Sequence, residues 1–293
     1  MGSPPPAAIA VSVALALFAL LAPPLIDGVE RKIRASIHSR IGPPVTQTWL
    51  DLLKLLSKEI KLPRGAELAA FTTALGAAIA ALLGVLLSLF ASMNLLSVPF
   101  VVTVLVLVVS VHALSLATGC ASFNPFASIG SFRRVVLSVV NEVGLVLSVA
   151  LALFSRGVGG AKGWALLGVS TAMMLVAVFA SSGRLPYDLH EAEPEIASGT
   201  LIELSGPLLA LEMYSHLVER WALASLPIYV SVLPLISNPI LNAAAMAIGS
   251  TVLWCCFATT SALLGRSRVD LAVKSLGTIY TLSTIAWVGL WIA

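Results

Sequence analysis

The feature that most limits what this chain can become is a recurrence of apolar runs, each long enough to cross a bilayer, from one end to the other. About 20 apolar residues in helical geometry bridge roughly 30 Å of hydrocarbon. Reading such windows gives eight expected spans: 7–28, 66–92, 97–118, 135–154, 164–181, 205–234, 240–264 and 271–292. Inside hydrocarbon the backbone must satisfy its own hydrogen bonds, so runs of this length form helices. Composition agrees, since only 11% of the 293 residues are charged against about 25% in an ordinary soluble domain. The expected fold is therefore all-α, a polytopic transmembrane helical bundle forming one integral membrane domain over 1–293. Residues 7–26 have the apolar core of a signal peptide. No Lys or Arg precedes them and no cleavage site follows, so they read as a retained first span.

Charge orients the bundle. Of the 17 Lys and Arg residues, Arg31, Lys32, Arg34, Arg40, Lys54, Lys58, Lys61 and Arg64 fall between the first two spans. Arg133, Arg134, Arg184, Arg266, Arg268 and Lys274 adjoin the other odd-numbered connections, and only Arg156 and Lys162 lie on the opposite side. Basic loops stay cytoplasmic, which predicts a multi-pass protein of the cell (plasma) membrane with both termini outside. The first connection, 29–65, is a basic cytoplasmic loop with structure of its own. Arg40-Ile41-Gly42-Pro43-Pro44 breaks the chain, and Trp49, Leu52, Leu53, Leu56 and Ile60 then recur at helical spacing among Asp51, Lys54, Lys58 and Lys61. That pattern predicts an amphipathic surface helix, either docking a partner subunit or anchored in the lipid bilayer. The net charge of +3 comes from this short segment and is no sign of nucleic-acid binding.

The chemistry lies in carboxylates that hydrocarbon normally excludes. Glu142 sits near the start of the fourth span. Glu203 stands just ahead of the sixth span, which carries Glu212, His216 and Glu219, with Arg220 alongside. Glu212, His216 and Glu219 are four and three residues apart and share one helical face. Such a stripe predicts an ion path through the interior, or else a static network in which Arg220 neutralises a glutamate. Ahead of that span, the acidic cytoplasmic loop 184–204 holds Asp188, Glu191, Glu193, Glu195 and Glu203, five of the chain's 14 acids, with Arg184 the one nearby base. Crowded acids raise one another's pKa, which suits a funnel or relay. No metal is expected: Cys120, Cys255 and Cys256 have no ligand spacing, and no phosphate-binding glycine loop is present.

At these residues the sequence resembles the complex I subunit 1 family, the membrane subunit beside the peripheral arm of respiratory NADH dehydrogenases. Relatives occur in energy-converting nickel–iron hydrogenases, formate hydrogenlyase and other ferredoxin-linked complexes. The likeness rests on Glu30-Arg31-Lys32 leaving the first span, on Arg40-Ile41-Gly42-Pro43, and on the segment from Pro186 through Glu195 to Gly199, Glu203 and Ser205-Gly206. Glu142, in its context from Ala121 through Arg133, carries the third part. Quinone-linked members resemble GPNxxGxxGxxQ in the first loop, whereas this chain reads Gly42-Pro43-Pro44-Val45-Thr46-Gln47 and has His190 where they commonly have proline. The hydrogenase-type form is the more similar.

The resemblance implies an ion-translocating connector. Peripheral hydrogenase-like large and small subunits would hold a nickel–iron centre and iron–sulfur clusters, and antiporter-like membrane subunits would flank the chain. This chain would hold no cofactor. Asp188, Glu191, Glu193 and Glu195 would form the coupling entrance, Glu203 and Glu142 would pass protons or sodium ions inward, and Glu30 with Arg31 would dock or switch. Rival readings are a quinone-chamber subunit, a free-standing secondary transporter and a structural anchor.

Overall fold

The computed structural model describes residues 6–61, 65–122, 124–189 and 199–293. Ten α-helices account for most of them: α1 (Pro6–Leu21), α2 (Pro23–Ile37), α3 (Gln47–Leu56), α4 (Glu67–Ser92), α5 (Val98–Ala121), α6 (Pro125–Ser155), α7 (Gly160–Ser181), α8 (Pro207–Pro227), α9 (Pro239–Leu263) and α10 (Val269–Ile292). No strand occurs among the described residues. Proline sets several boundaries because it lacks an N–H and clashes with the preceding turn. Pro23 and Pro24 break the first apolar rod, so α2 leaves α1 at a bend of 49°. Asn124 and Asn238 cap α6 and α9, each accepting from the backbone N–H two residues on, with proline at the first helical position. Pro227 ends α8, and the chain continues through a wide π-helical turn, Ile228–Val232.

Six helices are long and apolar enough to cross a membrane, α4 to α7 with α9 and α10, and the bent pair α1–α2 makes seven. The sixth expected span, 205–234, corresponds to α8, and Glu212, Glu219 and Arg220 keep it out of that count. Its charges are tolerated because α8 is largely enclosed by other helices: Trp221, Leu223, Ala224 and Val218 are all at most 1% exposed, and α3, α4, α7 and α9 pack around it. The bundle is built around a helix that carries three charged side chains.

Two expected boundaries move. Residues 29–37, expected in the first loop, continue α2, because the run after Pro24 stays amphipathic and buries Ile26, Asp27 and Glu30. Residues 125–134, expected as part of a connection, belong to α6, so the link from α5 to α6 is only 122–124. Arg134 lies 7% exposed there, its charge satisfied inside the bundle instead of in water.

The connections alternate between two faces. On one, Ser205 donates to the Lys61 carbonyl, Ser267 to the Pro186 carbonyl, and Asn124 to Glu203. On the other, Asn94 donates to the Ile236 carbonyl and Arg156 to that of Ser231. The basic connections share the first face, which we call the loop face. There α3 lies across α2, where Thr48 donates to Asp27 and Arg31 bridges Asp27 and Asp51. Approach is close enough that a Cβ on Gly28 would fall 1.8 Å from the Val45 carbonyl oxygen. The outer side of α3 remains apolar and uncovered, with Leu50, Leu53 and Leu56 about half exposed.

Candidate functional site

Three helices place acids and imidazoles in one line. α8 contributes Glu212, His216 and Glu219 from one face, as their spacing requires. α5 contributes His112, and α6 contributes Arg134 and Glu142. His112 Nδ1 lies 3.2 Å from Glu142 Oε1, and His112 Nε2 lies 2.7 Å from Glu219 Oε1. His216 Nδ1 is 3.4 Å from Glu219 Oε2, and His216 Nε2 is 3.4 Å from Glu212 Oε1. The result is a chain in which three carboxylates alternate with two imidazoles: Glu142, His112, Glu219, His216, Glu212.

Burial grades along this chain. Glu212, His216, Glu219 and His112 are each at most 8% exposed, whereas the Glu142 side chain keeps 23%. Glu142 therefore forms the accessible end. It lines a cavity of about 30 Å³ with Ser138, Asn141, Ser181, Gly183 and Tyr187, room for one or two water molecules among polar partners. Gly183 and Tyr187 belong to the connection after α7, so the cavity looks toward the loop face. Asn141 braces one wall, donating to the Ala177 carbonyl and to Ser181 while accepting from Tyr280.

The inner links are close but poorly aligned. Glu219 Oε1, His216 Nε2 and Glu212 Oε1 are buried and lack a well-directed hydrogen bond, although the neighbouring atom is 2.7–3.4 Å away. Distance is thus already satisfied, and a modest ring or carboxylate rotation makes or breaks each link. The guanidinium that approaches Glu219 comes from Arg134, at 4.0 Å, anchored by its bond to Ser115. Arg220, the residue expected to neutralise a glutamate, donates Nε to the Ser182 carbonyl.

A second buried cluster sits at the start of the connection after α7. Glu30 takes Arg34 on one oxygen at 2.6 Å and Arg184 on the other, which also accepts from the Trp254 indole N–H at 2.5 Å. Arg184 stacks 5.1 Å from the centre of the Trp254 ring. Burial pushes the Arg184 guanidinium down to about 10, with Glu30 pulling the other way, so it stays charged at neutral pH. Glu30 is held on every side, which suits a structural tie.

The remaining candidates lie elsewhere. Glu203 follows the short turn Gly199–Leu201 and accepts at 2.5 Å from Asn124, which heads α6 and stands 18 residues before Glu142 along the chain. Arg31 is engaged by Asp27 and Asp51. Asp188 pairs with Arg266 at 3.0 Å, so Arg184 is not the one base near the acidic loop. The last connection packs against Pro186 and Asp188, a contact invisible in sequence. Glu191, Glu193 and Glu195 lie outside the described residues. His112 and Arg134 were missed by sequence reading, although the rule that an ionisable residue at membrane depth is functional by default applies to both.

Among the described residues no group of three or more His, Cys, Asp or Glu is arranged to hold a metal ion. Cys120, Cys255 and Cys256 are free thiols on α5 and α9.

Over residues 9–292 the sequence matches the model of a family described as NADH dehydrogenase. It is 29% identical over 234 residues to hydrogenase-4 component C of Escherichia coli, covering 73% of this chain and 72% of that protein. Similarity to formate hydrogenlyase subunit 4 of the same organism is 30% over 212 residues, covering 66% and 67%. With a subunit of the NADH-quinone oxidoreductase of Anoxybacillus flavithermus it shares 31% over 217 residues, 67% of this chain and 65% of that one. The fold is similar to a chain in the structure of the membrane-bound sulfane sulfur reductase, an archaeal respiratory membrane complex. There the TM-score is 0.77 at 19% identity, covering 96% of this chain and 99% of the other.

Proposed function

This chain belongs to the NADH dehydrogenase family of membrane subunits, which includes those of hydrogenase-type complexes, and from that premise we propose that it couples electron transfer in a peripheral arm to ion movement across the membrane. One observation carries the reading: the buried alternation of Glu142, His112, Glu219, His216 and Glu212, reached through the small cavity that Glu142 lines with Ser138, Asn141 and Tyr187. A lone carboxylate at that depth is costly, and a row of them sharing protons with imidazoles is what a proton relay requires. Sodium is the poorer fit. An imidazole passes a proton between two carboxylates but cannot share a cation with them, and a sodium ion needs a cage of oxygens.

In this reading the chain is a multi-pass connector with the loop face cytoplasmic and both termini outside. Hydrogenase-like large and small subunits carrying the nickel–iron and iron–sulfur centres dock on the loop face, and antiporter-like membrane subunits lie alongside. A change of charge at the acidic loop, relayed by Asp188 and Glu203, alters the proton affinity of Glu142, and the relay carries that change inward. The uncovered apolar side of α3 is the natural contact for a docked subunit.

The test is to purify the intact complex through this chain, reconstitute it into proteoliposomes, and measure ion uptake against electron transfer. With Glu142→Gln, uptake should fall at least ten-fold per electron while electron transfer continues. Full uptake in that variant would remove Glu142, and with it the relay, from the mechanism.

A further inference from the structure

The face opposite the loop face carries two bases that break the charge asymmetry, Arg156 and Lys162. Arg156 follows directly on the last turn of α6 and is half-buried. It makes one long bond, 3.4 Å from Nη2 to the Ser231 carbonyl, and its Nε is buried with no partner. No acid occurs in the connections on this side, 93–97, 156–159 and 236–238. A guanidinium at the hydrocarbon edge without a counter-ion is costly, and burial alone acts to lower its proton affinity.

Arg156 opens on a cavity of about 300 Å³ with two unlike walls. The polar wall is Arg156 together with the first turn of α7, whose N-cap is Gly159 and so offers no side chain to the free amides. Gly159 and Gly160 leave the space above them open. The apolar wall is Trp164, Leu167 and Leu235, with Trp164 and Leu235 each 59% exposed. A guanidinium recognises phosphate oxygens in pairs, and uncapped helix amides add to the same charge.

We propose that this cavity binds a phosphate group, held by Arg156 and the first turn of α7. Its source is either a phospholipid, whose upper acyl carbons lie along Trp164, Leu167 and Leu235, or free phosphate. The proposal is independent of the relay, since no residue of one belongs to the other.

The test compares wild type with two variants of the full chain, purified with its native partners in mild detergent. Arg156→Gln removes the charge. Gly159→Asp places a carboxylate at the N-cap, where it serves as a helix cap and fills the anion position, so a folding defect is not its expected effect. Phospholipid retained per chain is read by native mass spectrometry, and inorganic phosphate binding by calorimetry. Loss of one retained phospholipid, with occupancy down roughly ten-fold in both variants, establishes the lipid source. Unchanged lipid, with phosphate affinity down roughly ten-fold in both variants, establishes free phosphate as the source. Equal lipid retention and equal phosphate binding in all three proteins overturn the site.

Discussion

His112 Nε2 stands 2.7 Å from Glu219 Oε1, while its other ring nitrogen stands 3.2 Å from Glu142, so one imidazole touches two carboxylates from opposite sides. A neutral imidazole has one donor and one acceptor. With both glutamates ionised, a neutral ring would set a lone pair against a carboxylate oxygen. The trio is therefore satisfied only with an extra proton, placed on the ring or on one of the acids. Moving that proton from one member to another needs little displacement of heavy atoms.

His112→Phe should consequently be the sharpest test of the relay. The ring keeps the volume and loses both nitrogens. Ion uptake per electron in proteoliposomes should fall at least ten-fold, to the level of Glu142→Gln, and the double variant should be no worse than either single one. Additive losses would mean that the two residues act separately.

Glu30 invites a contrasting expectation. It compensates the buried Arg184 as well as the partly exposed Arg34, so Glu30→Gln leaves the Arg184 charge buried and unpaired. Removing one partner of a buried pair typically costs about 3–5 kcal/mol. Thermal unfolding in detergent should show a loss of that order. By contrast, the Arg31–Asp51 pair has both side chains 35% exposed, and a double-mutant cycle across it should return at most about 1 kcal/mol.

How much of this was legible beforehand depends on what kind of signal each residue gives. The face of Glu212, His216 and Glu219 could be read because helical spacing fixes it. His112 could not be singled out by pattern, since it is the one histidine of an apolar helix and its neighbour at helical spacing, Ser115, is an ordinary hydroxyl residue. Two adjacent arginines ordinarily seek water, so the sequence points Arg134 to a loop. In the folded bundle Ser115 and Glu219 receive one of them. The pairing of Asp188 with Arg266 joins distant connections and leaves no local trace. The span count suffered for a related reason, because α8 is enclosed by other helices and need not be apolar.

Gly144 offers a steric test of the frame behind the relay. It lies on α6 two residues beyond Glu142, and a Cβ added there would fall 2.3–2.5 Å from the Tyr280 ring. No heavy atom can accept that distance, so Gly144→Ala must push Tyr280 and α10 away. Tyr280 holds Asn141 through its hydroxyl, and Asn141 in turn holds α7 at Ala177 and Ser181. The substitution should thus cost about 1–3 kcal/mol as overpacking and loosen the wall of the cavity at Glu142. Tyr280→Phe separates the two effects, because it removes the hydroxyl without adding volume. If the bond to Asn141 positions the cavity wall, both variants should reduce ion uptake per electron, and only Gly144→Ala should lower thermal stability by more than about 1.5 kcal/mol. Unchanged uptake in Tyr280→Phe would show that packing alone, and not the Tyr280–Asn141 bond, keeps Glu142 in place.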